Sequence, residues 1–238
     1  MFVTDVNLPS MVEIIHRCPS GTLKPNQFFF SADGVPLLVY EGFSAGMLDL
    51  QQALSAVPGI IPVGRFAQFP KTTLGALNGD RLRLSRENLG TLRAITDKYN
   101  QEIRQAGLGI PVRQLSIVIF ETRSLEHRVK TYSVSLDSDQ SDTVVPEDNR
   151  HYVQEQLIAF APEKLDEFFA RLTTSGYRKT HYRELHLEST LVFDLPLPHP
   201  AYINAFVAEI DRELPGYFCW FGQHSRHVTV RALFREEN

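Results

Sequence analysis

Two stretches of this chain carry side chains whose types and spacing could do chemistry. In the first, Gln223 to Leu233, His227, Thr229 and Arg231 alternate with Val228, Val230 and Ala232. On a strand, a period of two sends the polar set to one face and the apolar set to the other. The second stretch, Leu185 to Leu191, sets His186, Glu188 and Thr190 against Leu185, Leu187 and Leu191 in the same way. If the two strands are neighbours, two imidazoles, two hydroxyls and a guanidinium point into one volume. With ordinary pKa values near 6.5, one His can serve as base and another as acid at neutral pH. Thr hydroxyls donate hydrogen bonds, and Arg matches phosphate oxygens in bidentate fashion. Such a set could cleave a phosphodiester without a metal.

The tetrapeptide His227-Val228-Thr229-Val230 resembles one of the paired His-x-Ser/Thr-apolar motifs of the 2H phosphoesterases. That family includes RNA 2',3'-cyclic phosphodiesterases and the bacterial 2'-5' RNA ligases. The resemblance implies two related α+β lobes around a cleft, one motif from each lobe, an acid–base pair of His, hydroxyls holding phosphate, and no metal or other cofactor. It also implies a small nucleotide, cyclic phosphate or RNA end as partner. The sequence departs from the pattern in its first half. There the matching slot reads Lys71-Thr72-Thr73-Leu74, with Lys where His is expected. The His of that half's final hairpin is His127, with Thr131 four positions on. The expected site is therefore His227 with His186 or His127 as the acid–base pair. Thr229, Arg231, Thr190, Lys71 and Thr73 would bind substrate.

Other readings of these residues compete. His181, His186, His224 and His227 offer metal-like spacings, but 181/186 and 224/227 each differ by an odd number, so strand parity splits each pair. Gly42-Phe43-Ser44-Ala45-Gly46 has the spacing of a nucleophile elbow, without the length of parallel α/β sheet that such a serine needs. Thr is a good strand former whatever its function. Arg231 and Glu188 could be a plain cross-strand ion pair. On the same scaffold, a non-catalytic binding or assembly protein with a protein partner is the rival to an enzyme.

Elements that would position these residues are legible from pattern. Asp33-Gly34 between two apolar runs predicts a hairpin over 27–40. Ser85 caps a helix striped by Leu89, Leu92, Ile95, Tyr99 and Ile103, which Gly107 ends. Leu115–Phe120 and Val129–Leu136 predict a second hairpin. Pro162 and Pro200 open helices, the former ended by Gly176, while 151–160 and 182–195 read as strands and residues 1–26 as an irregular arm. Asp137 to Asp142 lacks apolar residues and reads as the start of a solvated linker over 137–149. The fold expected is α+β: two similar lobes, 1–136 and 150–238, each a mostly antiparallel sheet with two helices on one face.

Composition bounds the partners. The 238 residues are 43% apolar and 22% charged with a net charge of -4, an ordinary globular balance. A mildly acidic chain lacks the general cationic field that duplex DNA binding needs. Apolar runs such as Ile117–Phe120 fall far short of the ~20 residues of a membrane span. No basic segment followed by an apolar run opens the sequence, and Cys18 and Cys219 sit in no metal or redox motif. A cytoplasmic protein with reduced thiols and no membrane partner is expected.

Overall fold

A computed structural model describes residues 7–78, 83–107, 109–158, 164–175 and 179–234. The chain starts with helix α1 (Leu8–His16), strands β1 (Pro19–Leu23), β2 (Pro25–Phe30) and β3 (Pro36–Tyr40), and helix α2 (Ala45–Ala53). Strands β4 (Lys71–Thr73) and β5 (Gly75–Leu77) lead into the long helix α3 (Arg86–Ala106). Then come β6 (Ile110–Val112), β7 (Gln114–Phe120), β8 (Arg128–Ser135) and β9 (Asp137–Asp142). Helices α4 (Glu147–Leu157), α5 (Leu165–Ser175) and α6 (Lys179–Arg183) follow. The last elements are β10 (Glu188–Asp194), α7 (Ala201–Glu213), β11 (Phe218–Trp220) and β12 (His227–Phe234). No helix among the described residues is long and apolar enough to cross a membrane.

The class is α+β, and its main sheet is antiparallel, in the order β2-β3-β4-β12-β10-β7-β8. The expected pair of separate sheets gives way to one shared sheet, because β12 and β10 from the C-terminal segment lie between β4 and β7 from the N-terminal one. Interleaving leaves both C-terminal strands hydrogen-bonded on both sides, with only β2 and β8 at the ends of this sheet. One face carries Phe28, Leu38, Thr72, Val228 and Leu191, all within 0% of exposure. On it the Phe28 ring stacks on Phe206 of α7 at 3.8 Å, with Tyr99 of α3 edge-on to Phe206 at 5.6 Å.

Local chemistry explains the elements. Ser85 Oγ accepts the Asn88 amide at 3.1 Å and Asn88 Oδ1 accepts the Ser85 amide at 2.8 Å, so two of the helix's orphan donors are satisfied at once. Gly107 closes α3 at φ 56°, in the left-handed region. Residues 137–142 are a strand rather than the start of a linker: β9 pairs in parallel with β1 through backbone bonds that need no apolar side chain. Asp142 Oδ2 also accepts the Gly46 amide at 2.7 Å, at the positive end of α2. The stretch read as a strand from 151 is mostly α4, with Glu147 and Asp148 in its first turn and Asn149, Tyr152, Val153 and Leu157 buried at helical spacing. The arm resolves into α1 and β1, and the strand read over 182–195 shortens to β10. Pro162 and Gly176 lie outside the described residues.

The free edge of β2 is closed by a helix side chain. Asn100 Oδ1 accepts the Phe28 amide at 2.6 Å, and its Nδ2 donates to the Phe28 carbonyl at 3.2 Å. Both groups are buried, so Asn100→Leu strands two backbone partners and is expected to destabilise the fold by about 2–3 kcal/mol. Urea unfolding measures this; a loss under about 1 kcal/mol would show that the edge is satisfied in another way.

Candidate functional site

The face opposite the aromatic core holds the candidate site. Strands β4 and β12 are antiparallel neighbours with Val228 opposite Thr72. That register places His227 opposite Thr73 and Thr229 opposite Lys71. The segments Lys71-x-Thr73 and His227-x-Thr229 are thus related by a local two-fold axis, each cationic or titratable group facing the other segment's hydroxyl. All four side chains line one open hollow of about 430 Å³. Its other wall is the segment 61–69, which includes Phe69.

That wall is tied down from three elements. Gln51 of α2 donates from Nε2 to the Ala67 carbonyl and to the Val230 carbonyl, each at 2.8 Å. Asn149 of α4 donates to the Gln68 carbonyl at 2.8 Å and accepts the Phe43 amide at 2.7 Å. Arg231 of β12 donates to the carbonyl of Ile61.

His227 opens β12, half-buried, across from Asp194 of β10. Its Nδ1 lies 2.6 Å from the Ser225 carbonyl. A carbonyl only accepts, so Nδ1 carries the proton and Nε2 is left with a lone pair. Burial pulls the imidazole pKa down to about 4; the Ser225 bond opposes this, the Arg128 charge adds to it, and Asp194 opposes it. Asp194 itself is engaged: its Oδ1 accepts Arg128 Nη2 at 2.6 Å and its Oδ2 accepts Ser116 Oγ at 2.9 Å. Near pH 7 His227 is a neutral acceptor.

Lys71 is the complementary group. Burial lowers its ammonium pKa to about 8. The Nζ stands 4.9 Å from the centroid of the Phe69 ring, which stabilises the cation without neutralising it. No carboxylate pairs with it among the described residues. At neutral pH the hollow therefore presents a protonated amine, a neutral imidazole acceptor and two hydroxyls.

Arg231, expected beside His227 and Thr229, lines the same hollow, next to a β-bulge. Val192 pairs with Thr229 while the adjacent Leu191 pairs with Arg231, so one extra residue of β12 sits between these positions and breaks the alternation. The guanidinium is 1% exposed and is spent on the Gln51 and Ile61 carbonyls, the Ala232 carbonyl at 3.3 Å and Ser55 Oγ at 3.2 Å. Thr190 is likewise buried, with its hydroxyl donating to the Arg231 carbonyl at 2.8 Å. Thr190 is not part of the hollow's lining, whereas Arg231 lines it with a guanidinium already bonded to protein acceptors.

The two partner imidazoles expected for His227 line other surroundings. His186 sits in the loop before β10, its amide bonded to the Glu121 carbonyl and its Nε2 3.6 Å from Glu184. His127 is exposed just ahead of β8, with its amide donating to Thr122 Oγ1. His181 stacks edge-on to Tyr182 and meets Arg123, and no group of three or more potential metal ligands is assembled among the described residues. Ser44 is the N-cap of α2, accepting the Met47 amide, rather than an exposed nucleophile. Sequence reading missed Phe69, Asp194 and Arg128. No local pattern marks them, since each reaches the site through strand pairing or a long-range contact.

No family model, curated protein or solved structure matches this chain.

Proposed function

We propose that this chain is a metal-free phosphodiesterase acting on cyclic phosphates, small nucleotides or RNA ends. The observation that carries the reading is the two-fold pair of x-Thr segments, Lys71/Thr73 and His227/Thr229, around one hollow. Thr73 and Thr229 hold the non-bridging oxygens, and the Lys71 ammonium offsets the phosphate charge. His227 Nε2 takes a proton from the attacking water as the new P–O bond forms. Lys71 Nζ gives a proton to the ribose oxygen as the old P–O bond breaks, and proton exchange with solvent resets both groups. Lys71 thus stands in for the second imidazole that the His-x-Thr pattern calls for.

The protonation states give a test. His227 must be neutral, which holds above about pH 4, and Lys71 must be protonated, which holds below about pH 8. For 2',3'-cyclic AMP, kcat/KM is expected to rise through pH 4, fall through pH 8 and peak between. Lys71→Arg keeps the charge but cannot release its proton, so activity drops and the alkaline limb disappears. An alkaline limb that survives in Lys71→Arg would remove Lys71 as the acid.

A second reading rests on the same Lys71. An amine at the position of the second imidazole also suits a protein that binds a phosphate ester without turning it over. Saturable binding of 2',3'-cyclic AMP with no product after prolonged incubation would select that reading.

A further inference from the structure

We infer that the corner between the turn 223–226 and the first turn of α7 binds a tetrahedral oxyanion, as free phosphate or as the phosphoryl group of a small molecule. The site is built around Arg226, just ahead of β12, and does not depend on the phosphodiesterase reading. The backbone is extended at Arg226, so its side chain leaves on the face opposite to that of His227. There its Nη1 donates to Asn204 Oδ1 of α7 at 2.9 Å. Arg226 is 4% exposed, and its Nε, buried as well, makes no bond among the described residues. Arg231 shows what a buried guanidinium takes: three carbonyls and a hydroxyl accept from it, against the single partner of Arg226. No carboxylate pairs with Arg226 among the described residues, and burial disfavours its charge. A buried cation with spare donors calls for an acceptor, and an anion answers both needs.

The neighbouring donors belong to the helix end. No side chain caps the first turn of α7, whose N-cap residue is Pro200. The Ile203 amide reaches the Pro200 carbonyl at 3.0 Å, whereas the amides of Ala201 and Tyr202 make no bond among the described residues. They are orphan donors at the positive end of a 13-residue helix. Two ties bring Arg226 to them. A helix side chain leans toward the N-terminus, which carries the Asn204 carboxamide, and the guanidinium bonded to it, back over the first turn. His199, just before the helix, has Nε2 3.0 Å from the Gln223 carbonyl and so joins the helix start to the turn that carries Arg226. The Nε–Nη2 edge of the guanidinium takes two oxygens of an anion, and the helix amides take a third. A carboxylate has only two, so the donor set selects a tetrahedral anion. Leu197 and Ala201 are exposed beside this corner, which gives an ion its way in.

The test is a titration of the full chain with sodium phosphate at constant ionic strength, with sodium chloride as control, followed by NMR. The Arg226 Nε–H and the amides of Ala201 and Tyr202 are expected to shift together and saturate, with a Kd of about 1 mM or tighter. Arg226→Gln is expected to weaken this binding about tenfold or more, the size for charge-assisted hydrogen bonds. Ala201→Pro deletes one amide at a position where proline suits a helix, after a Pro200 already extended at ψ 134°. It should weaken phosphate about tenfold as well, and it decides the matter where Arg226→Gln does not fold. Lys71→Ala should leave the titration of these signals unchanged, which separates this corner from the hollow beside His227. Glycerol phosphate distinguishes the sources: tighter binding than phosphate marks a phosphorylated molecule, and weaker binding marks the free ion. Equal shifts with chloride would overturn the site, and so would wild-type affinity in folded Arg226→Gln or, failing that variant, in Ala201→Pro.

Discussion

His227→Ala is expected to cost about 10²–10⁴-fold in kcat/KM for 2',3'-cyclic nucleotides, the range found when a positioned general base is removed. The size follows from how this imidazole is held. The 2.6 Å bond from Nδ1 to the Ser225 carbonyl fixes the tautomer and aims Nε2, so no other tautomer or rotamer has to be sorted out at each turnover. Its lowered pKa also means that nearly all molecules carry the working form at pH 7. No group in the hollow can replace it, since Lys71 is protonated there and a Thr hydroxyl is a very weak base. The fold should survive, because Val228 and Val230, fully buried on the other face, hold β12 in place. The measurement is initial-rate kinetics on both proteins after matching their thermal unfolding. A fully folded His227→Ala protein with activity within about fivefold of wild type would end the case for His227 as the base, since general-base removal costs far more.

How this site could be half-read from sequence is itself physical. The alternation of His227 and Thr229 with Val228 and Val230 reflects a real two-sided strand, because one face is buried against aromatic rings and the other lines a hollow. The same logic weakens two residues later, where a bulge breaks the alternation and Arg231, though it still lines the hollow, is bonded inward. A bulge is an energetic choice of the whole sheet; here Gln51, Ser55 and Ile61 supply acceptors that no window of sequence around Arg231 contains. Lys71-Thr72-Thr73 was legible as a motif slot, yet its contact with His227 spans more than half the chain and depends on β12 inserting beside β4. Helix α3 was legible entire because its cap, stripe and stop are all local. The strand β9 was not, because acidic side chains conceal a backbone ladder. Lys71 shows the gain from the structure: the motif supplied its place, and only burial beside Phe69 marks it as an amine able to exchange its proton near pH 8.

Arg231→Ala is expected to destabilise the fold by about 4 kcal/mol, a large share of the 5–15 kcal/mol that holds a typical domain. A guanidinium buried this completely is bonded to no carboxylate among the described residues; it is held by the carbonyls of Gln51, Ile61 and Ala232 and by Ser55 Oγ. Burial disfavours its charged form, so those acceptors must together outweigh the desolvation of the cation. Alanine removes the cation and with it that penalty, but leaves the Gln51 and Ile61 carbonyls without this donor and opens a void where a large side chain stood. Arg231→Lys separates the effects: one ammonium fills much of the volume but cannot span α2 and residue 61 at once, so it should recover less than half of the loss. Urea unfolding of the three proteins measures this, and an alanine variant within about 1 kcal/mol of wild type would show that these bonds are not what holds β12 to α2. Because Ile61 lines the hollow beside His227, loosening it should also, on the proposed function, raise KM for the cyclic nucleotide more than it lowers kcat. Such a split would set Arg231, which braces the wall of the hollow, apart from His227, the proposed base.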